Sequence, residues 1–123
     1  MELNNDQIEK MIGKVIPKST VCITVYDLDQ KNVLFTTPGS YATFGVPKNL
    51  KYSELVKYFL DNIIHPDYKK EQVEIYKSGK FPPSREYRII HPVNGERHIR
   101  VETSRPIKME NNNIIICVLM DIT

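Results

Sequence analysis

The sequence has only two cysteines, Cys22 and Cys117. That is too few for a disulfide framework or a four-cysteine zinc site, and a reducing cytosol is the simplest compartment for it. Long apolar runs are missing too. The longest, Ile114 to Met120, falls far short of the roughly 20 residues that cross a bilayer, so no membrane contact is expected. Residues 1–6 are acidic and polar where a secretory signal would be basic and then apolar. Charge of one sign is scarce as well: 17 basic side chains face 15 acidic ones, for a net +2, too little to argue for nucleic acid. Basic residues thicken between Lys69 and Arg105, but Glu71, Glu74, Glu86, Glu96 and Glu102 are interleaved with them, as on a solvated surface. There is no low-complexity tract, internal repeat or Pro/Gly-rich linker. Nor is there a G-x-S-x-G, a P-loop, an H-E-x-x-H or a recognisable Cys–His spacing, so no enzymatic activity is expected. Asp27 and Asp29 are close together, but at a strand end and turn, where acids are common.

What remains is 123 residues, 41% apolar and 26% charged, which is enough for one core and one domain. Asn4 and Gln7 form a capping-box pattern, and Ile8, Met11, Ile12 and Val15 share one face before Pro17. This predicts an amphipathic helix within residues 1–17, ahead of a domain over 18–123. So short a helix must dock on something, its own domain or a second copy of the chain. Strands are predicted from Thr20 to Leu28 and from Val33 to Thr36, joined by the turn Asp29-Gln30-Lys31-Asn32. Ser40 to Gly45 suits one or two helical turns. Ser53 is positioned to cap a helix whose stripe is Leu55, Val56, Phe59, Leu60, Ile63 and Ile64. Pro66-Asp67 opens another, which Gly79 closes. Two long strands follow, Ser84 to Pro92 and Glu96 to Ile107, then a polar loop from Lys108 to Asn113 and a last strand from Ile114 to Ile122. The pattern is α+β: an antiparallel sheet with helices on one face. The last strand is apolar at both parities, which places it mid-sheet and calls for cover on the outer face, where the N-terminal helix is the available piece.

His91 and His98 flank Asn94-Gly95, so a metal pair across a hairpin needs testing. A two-residue Asn-Gly turn would set them opposite each other, but it would also mix apolar and charged residues on both faces. A three-residue loop, Val93-Asn94-Gly95, separates the faces. Tyr87 and Ile89 then stand across from Val101 and Ile99, Gly95 takes the positive-φ position, and the two histidines part to opposite faces. No metal site is expected.

The run Ile64-His65-Pro66-Asp67, then Glu86-Tyr87-Arg88-Ile89, Asn94-Gly95 and Asp121-Ile122-Thr123 resembles the PAS (Per-Arnt-Sim) family. It is closest to the subgroup found in sensor histidine kinases and diguanylate cyclases. The resemblance covers about residues 20–123. Thr37, Tyr68, His98 and Cys117 depart from the residues usual at their places. The resemblance implies a five-stranded antiparallel sheet in the order second, first, fifth, fourth, third strand. It also implies a sensory or regulatory module of a signal-transduction protein that senses a small ligand or mediates dimerisation. Asp121, Ile122 and Thr123 then form the junction to a covalent output domain, of which nothing follows Thr123 to be read. The alternative is a ligand-free interaction or dimerisation scaffold.

Some members hold haem through a histidine near His65, but a helix start is the simpler use of His-Pro-Asp, and haem is not expected. Flavin is not expected either. Neither cysteine lies in the family's flavin box, and Ile89, Ile99 and Leu119 stand where flavin-binding amides would be. The expected cofactor is none, or an unidentified small molecule. The space between sheet and helices is predicted to be lined by Tyr41, Phe44, Leu55, Phe59 and Ile63 from the helical side, and by Tyr87, Ile89, Ile99, Val101, Cys117 and Leu119 from the sheet. A ligand there would be small and mostly apolar or aromatic; the plainer alternative is a filled core. The N-terminal stripe and the outer residues Ile116, Val118 and Met120 together predict a homodimer.

Overall fold

The computed structural model of the chain describes residue 7 and residues 21–37 and 39–123. The predicted dimer helix, Ile8, Met11, Ile12 and Val15, lies outside the described residues. Strands β1 (Val21–Asp27) and β2 (Asn32–Thr36) form an antiparallel hairpin. Asp27 shapes its turn by accepting the backbone N–H of Asp29 and of Gln30, at 2.9 and 3.0 Å. After β2 come one helical turn, α1 (Gly39–Ala42), then α2 (Tyr52–Tyr58), a π-helical turn (Phe59–Ile63) and α3 (Pro66–Ser78). Strands β3 (Ser84–His91), β4 (Gly95–Thr103), β5 (Ile107–Met109) and β6 (Asn112–Asp121) complete an antiparallel sheet. Its order is β2-β1-β6-β4-β3, with β5 also paired to β6. β6 is central, as its two-sided apolar pattern predicted.

The stripe predicted for one long helix is divided between α2 and the π turn. Its apolar pairs recur every four residues, whereas an α-helix turns every 3.6, so a straight helix would carry the last pair off the core. The wider turn from Phe59 to Ile63 absorbs the difference. Leu60, Ile63 and Ile64 stay buried, and the Ile64 N–H donates to the Phe59 carbonyl at 2.9 Å. Ile64 then bridges to Ile89, and the His65 N–H donates to the Arg88 carbonyl at 3.0 Å, laying this segment on β3. The N-cap of α2 is Lys51, not Ser53: the Glu54 carboxylate reaches back to the Lys51 N–H at 3.0 Å. Helix α3 begins as predicted, with Pro66 in its first turn and Gly79 (φ 73°) as its left-handed cap.

Two strand details differ from the sequence reading. The β3–β4 turn is Pro92-Val93-Asn94, so His91 pairs with Gly95, Ile89 with Arg97 and Tyr87 with Ile99. Pro92 has no N–H for the ladder. The His91 imidazole Nδ1 accepts the N–H of Val93 and of Asn94, each at 3.0 Å, closing the turn one residue early. The register slides by two, which preserves every face: Arg88 sits opposite His98, and His91 points to the other side. The predicted fourth strand ends at Thr103, and the polar segment after it holds β5 and a two-residue turn, Glu110-Asn111, with both φ angles positive.

The helices cover one face. Cys22, Tyr26, Ile89, Ile99, Val101, Ile115, Cys117 and Leu119 from the sheet pack against Phe44, Leu55, Leu60 and Ile63. Fully burying a side chain of the Ile or Val kind stabilises by about 1.5–3 kcal/mol. On the opposite face Ile116 is 37% exposed, while Val118 and Met120 are half-buried.

Candidate functional site

A cavity of about 60 Å³ lies between the helices and the β2-β1-β6 half of the sheet. Of the residues predicted to line the ligand space, Phe44, Leu55, Phe59, Cys117 and Leu119 are on its wall. Ile63, Tyr87, Ile89, Ile99 and Val101 are not; they are fully buried beside it. The π turn presses Ile63 and Ile64 down onto β3, which fills that half of the interlayer space and displaces the void toward β1 and β2. Tyr41 is off the wall as well: on the single turn of α1 it is its neighbour Ser40 that faces the cavity. The rest of the wall comes from Cys22, Thr24, Tyr26, Val33, Thr36, Val46 and Val56, with Tyr76, Phe81 and Arg85 at the far end.

The cavity's polar groups are of two kinds. On the β1–β2 side, Cys22 Sγ lies 3.3 Å from the Thr36 hydroxyl, which is 3.2 Å from that of Thr24. Cys117 Sγ is 3.7 Å from the Thr103 hydroxyl. Burial pushes both thiols above their ordinary pKa, so they are neutral, weak donors at physiological pH. At the other end stands Arg85, only 8% exposed. Its Nε donates to Gln72 Oε1 at 3.1 Å. Gln72 is the one fully buried residue of α3, and it fixes the plane of the guanidinium. The rings of Tyr76, Phe81 and Tyr87 surround that group, with centroids at 5.9, 5.2 and 5.9 Å. Burial raises the Tyr76 phenol to about 12 and that of Tyr87 well above its ordinary value. Arg85 Nη1, Ser40 Oγ and the Tyr87 hydroxyl are buried with no hydrogen-bond partner.

The sequence reading passed over Arg85, Gln72 and Ser40. For Arg85 a signal was present: it shares the parity of Tyr87 and Ile89, the core-facing side of β3.

His65 caps α3, its Nδ1 accepting the Asp67 N–H at 3.1 Å while Nε2 lies 3.2 Å from Glu96. Both ring nitrogens are therefore engaged. Among the described residues no group of three His, Cys, Asp or Glu side chains is arranged to hold a metal. No helix among them is long and apolar enough to cross a membrane.

At the chain end, Asp121 Oδ2 pairs with Arg97 Nε at 2.8 Å, and its Oδ1 accepts the Thr123 N–H at 2.9 Å. Burial alone would raise this carboxyl, but the Thr123 and Arg97 donors outweigh it and hold it below the usual carboxylate range. The Thr123 hydroxyl accepts the His98 N–H at 2.8 Å, and the Ile122 N–H donates to the His98 carbonyl at 2.9 Å, leaving the Ile122 side chain exposed. Asp121, Ile122 and Thr123 are thus tied to β4.

No family model matches the sequence, and no curated protein matches it. Solved structures do. The N-terminal domain of a diguanylate cyclase with PAS/PAC sensor from Marinobacter aquaeolei superposes with a TM-score of 0.65 at 16% identity, covering 83% of this chain and 94% of that one. A sensory box histidine kinase/response regulator from Burkholderia thailandensis gives 0.60 at 14% identity, over 94% of this chain and 84% of the other. The PAS domain of the fruit-fly ELK potassium channel gives 0.61 at 15%, over 99% of both. The fold is that of PAS domains.

Proposed function

We propose that this domain is the sensory module of a signal-transduction protein, and that the interlayer cavity takes a small molecule. The observation carrying this reading is the cavity itself. A void of about 60 Å³ bordered by two buried polar atoms without partners, Ser40 Oγ and Arg85 Nη1, is a poor way to finish a core and a good way to await a ligand. The kinase and cyclase neighbours support the signalling context. The domain itself carries out no catalysis in this reading, and neither flavin nor haem is its ligand. Cys117 and Leu119 touch the cavity from β6, which ends at Asp121, and Ile122 and Thr123 follow directly. A ligand that shifts β6 thereby reaches the point where an output domain would be joined.

The test is denaturing release. Domain purified from cells under native conditions is unfolded, and the filtrate is compared by mass spectrometry with that of an unrelated domain. A stoichiometric small molecule is the expected result; a clean filtrate, together with no thermal shift across a metabolite panel, would reject sensing.

A second reading, dimerisation without a ligand, draws on the outer face of the sheet, where Ile116 is exposed and Ile23, Val25, Val118 and Met120 are half-buried. In this reading a homodimer forms across that face.

A further inference from the structure

The guanidinium of Arg85 is a charge in the interior without a counter-ion. Among the described residues no carboxylate lies within ion-pairing distance of it. The side chains that hydrogen-bond it are neutral: the amide of Gln72, 3.1 Å away, and the phenol of Tyr76. The three rings around it stabilise a cation by their faces but offer it no negative charge. Nη1 remains buried and unpartnered, and the residue forms part of the cavity wall. Leaving a buried charge unpaired is costly, and the cost disappears if an anion occupies the cavity.

Taking the cavity to be a ligand site, as proposed above, we infer that its ligand is a small monocarboxylate held by Arg85. The charge count selects a monoanion, because the other polar wall groups are neutral hydroxyls and protonated thiols and a dianion would be left half-paired. The rest of the wall selects the body of the ligand. Phe44, Val46, Leu55 and Leu119 offer a hydrocarbon tail dispersion contacts and no polar partner. The volume selects its size. At about 10–15 Å³ for each water-sized group, 60 Å³ admits about four to six heavy atoms, the size of a short aliphatic acid.

The probe is sodium butyrate, titrated into ¹⁵N-labelled protein at constant ionic strength, with 1-butanol and sodium sulfate in parallel. Butyrate is expected to move the Arg85 Nε–H resonance and to bind at least tenfold more tightly than butanol. Arg85→Gln should weaken butyrate about ten- to hundredfold, the range of a lost charge-assisted hydrogen bond. Arg85→Lys, which keeps the charge but loses the fork, should fall between. Equal binding of butanol and butyrate, or full butyrate affinity in Arg85→Gln, would overturn the carboxylate assignment and leave ligand sensing standing. Binding of sulfate alone would overturn it in favour of an inorganic anion. Absence of binding by every probe would overturn it too, and the released-molecule assay then decides separately whether sensing survives. The comparison of butyrate with butanol needs no variant, so a poorly folding Arg85 mutant does not protect the inference.

Discussion

Gly45 has φ 74°, and a Cβ added there would come within 2.4 Å of Pro92 Cδ and 2.9 Å of Pro92 Cγ. The segment leaving α1 therefore lies directly on the β3–β4 turn, and only a residue without a side chain fits between them. Gly45→Ala should destabilise by about 2–4 kcal/mol, from the left-handed backbone and the overlap together. Gly79→Ala meets open space and should cost only about 1 kcal/mol for the backbone term. Urea unfolding of the two variants side by side checks the difference. Other single residues show why composition did not reveal the site. Arg85 is one of 17 basic side chains, and basic side chains are mostly solvated. Only its parity with Tyr87 and Ile89 marks it as inward, and a charged residue at an inward parity competes with the stronger expectation that charge faces water. His91 drew attention as a metal ligand, yet its nitrogen holds the turn's backbone N–H groups. Sequence spacing cannot tell those two uses apart.

Elements were legible in proportion to the side chains they bury. β1, β3 and β6 are rich in apolar and β-branched residues, and each lies within a residue or two of its predicted bounds at either end. β5 buries none of its three side chains and is held by backbone pairing alone, so it left no pattern in a polar stretch that reads as a loop. The π turn was hidden for a different reason: a four-residue period looks helical until it is followed for three turns. The start of α3 was legible from Pro66, but its cap was not legible as a network. His65, Asp67, Arg88 and Glu96 form linked pairs, with Arg88 3.2 Å from Glu96 and 3.4 Å from Asp67, tying α3 to the β3–β4 hairpin. The pairs are largely solvated, so the salt bridges themselves add little. The cap is the larger effect, and His65→Ala should cost about 1 kcal/mol. Hydrogen exchange of the first α3 amides should speed up while that of Gly79, at the far end, is unchanged. Uniform acceleration along the helix would mean that the cap is not what holds its start.

At the scale of the whole molecule, two carboxylates among the described residues are held below their ordinary range, and they stand at opposite ends of the central strands. Asp27 ends β1 and is lowered chiefly by the Gln30 N–H, with the Asn112 amide at 2.8 Å and the Asp29 N–H adding to it against the opposing effect of burial. It thus joins the β1–β2 turn to the β5–β6 hairpin. Asp121 ends β6 and joins it to β4 through Arg97. Because each folded-state pKa is depressed, the folded chain binds fewer protons than the unfolded chain as the pH falls below the ordinary value near 4. The stabilisation from both is therefore complete above about pH 4 and is lost as the pH falls through the lowered folded values. Between pH 5 and pH 2.5 the urea midpoint should fall steeply for the native chain. It should fall less steeply for Asp27→Asn combined with Asp121→Asn, which begins lower at neutral pH and has fewer protons to take up. The two single variants should share the change additively, since their sites are a sheet's length apart. Parallel acid limbs in all four proteins would show that these strand ends do not govern acid stability. If only Asp27→Asn altered the slope, the β1 end alone would carry it. Asp121 would then be free to loosen without unfolding the sheet, the property a strand end needs if it is to pass a change in the cavity to whatever follows it.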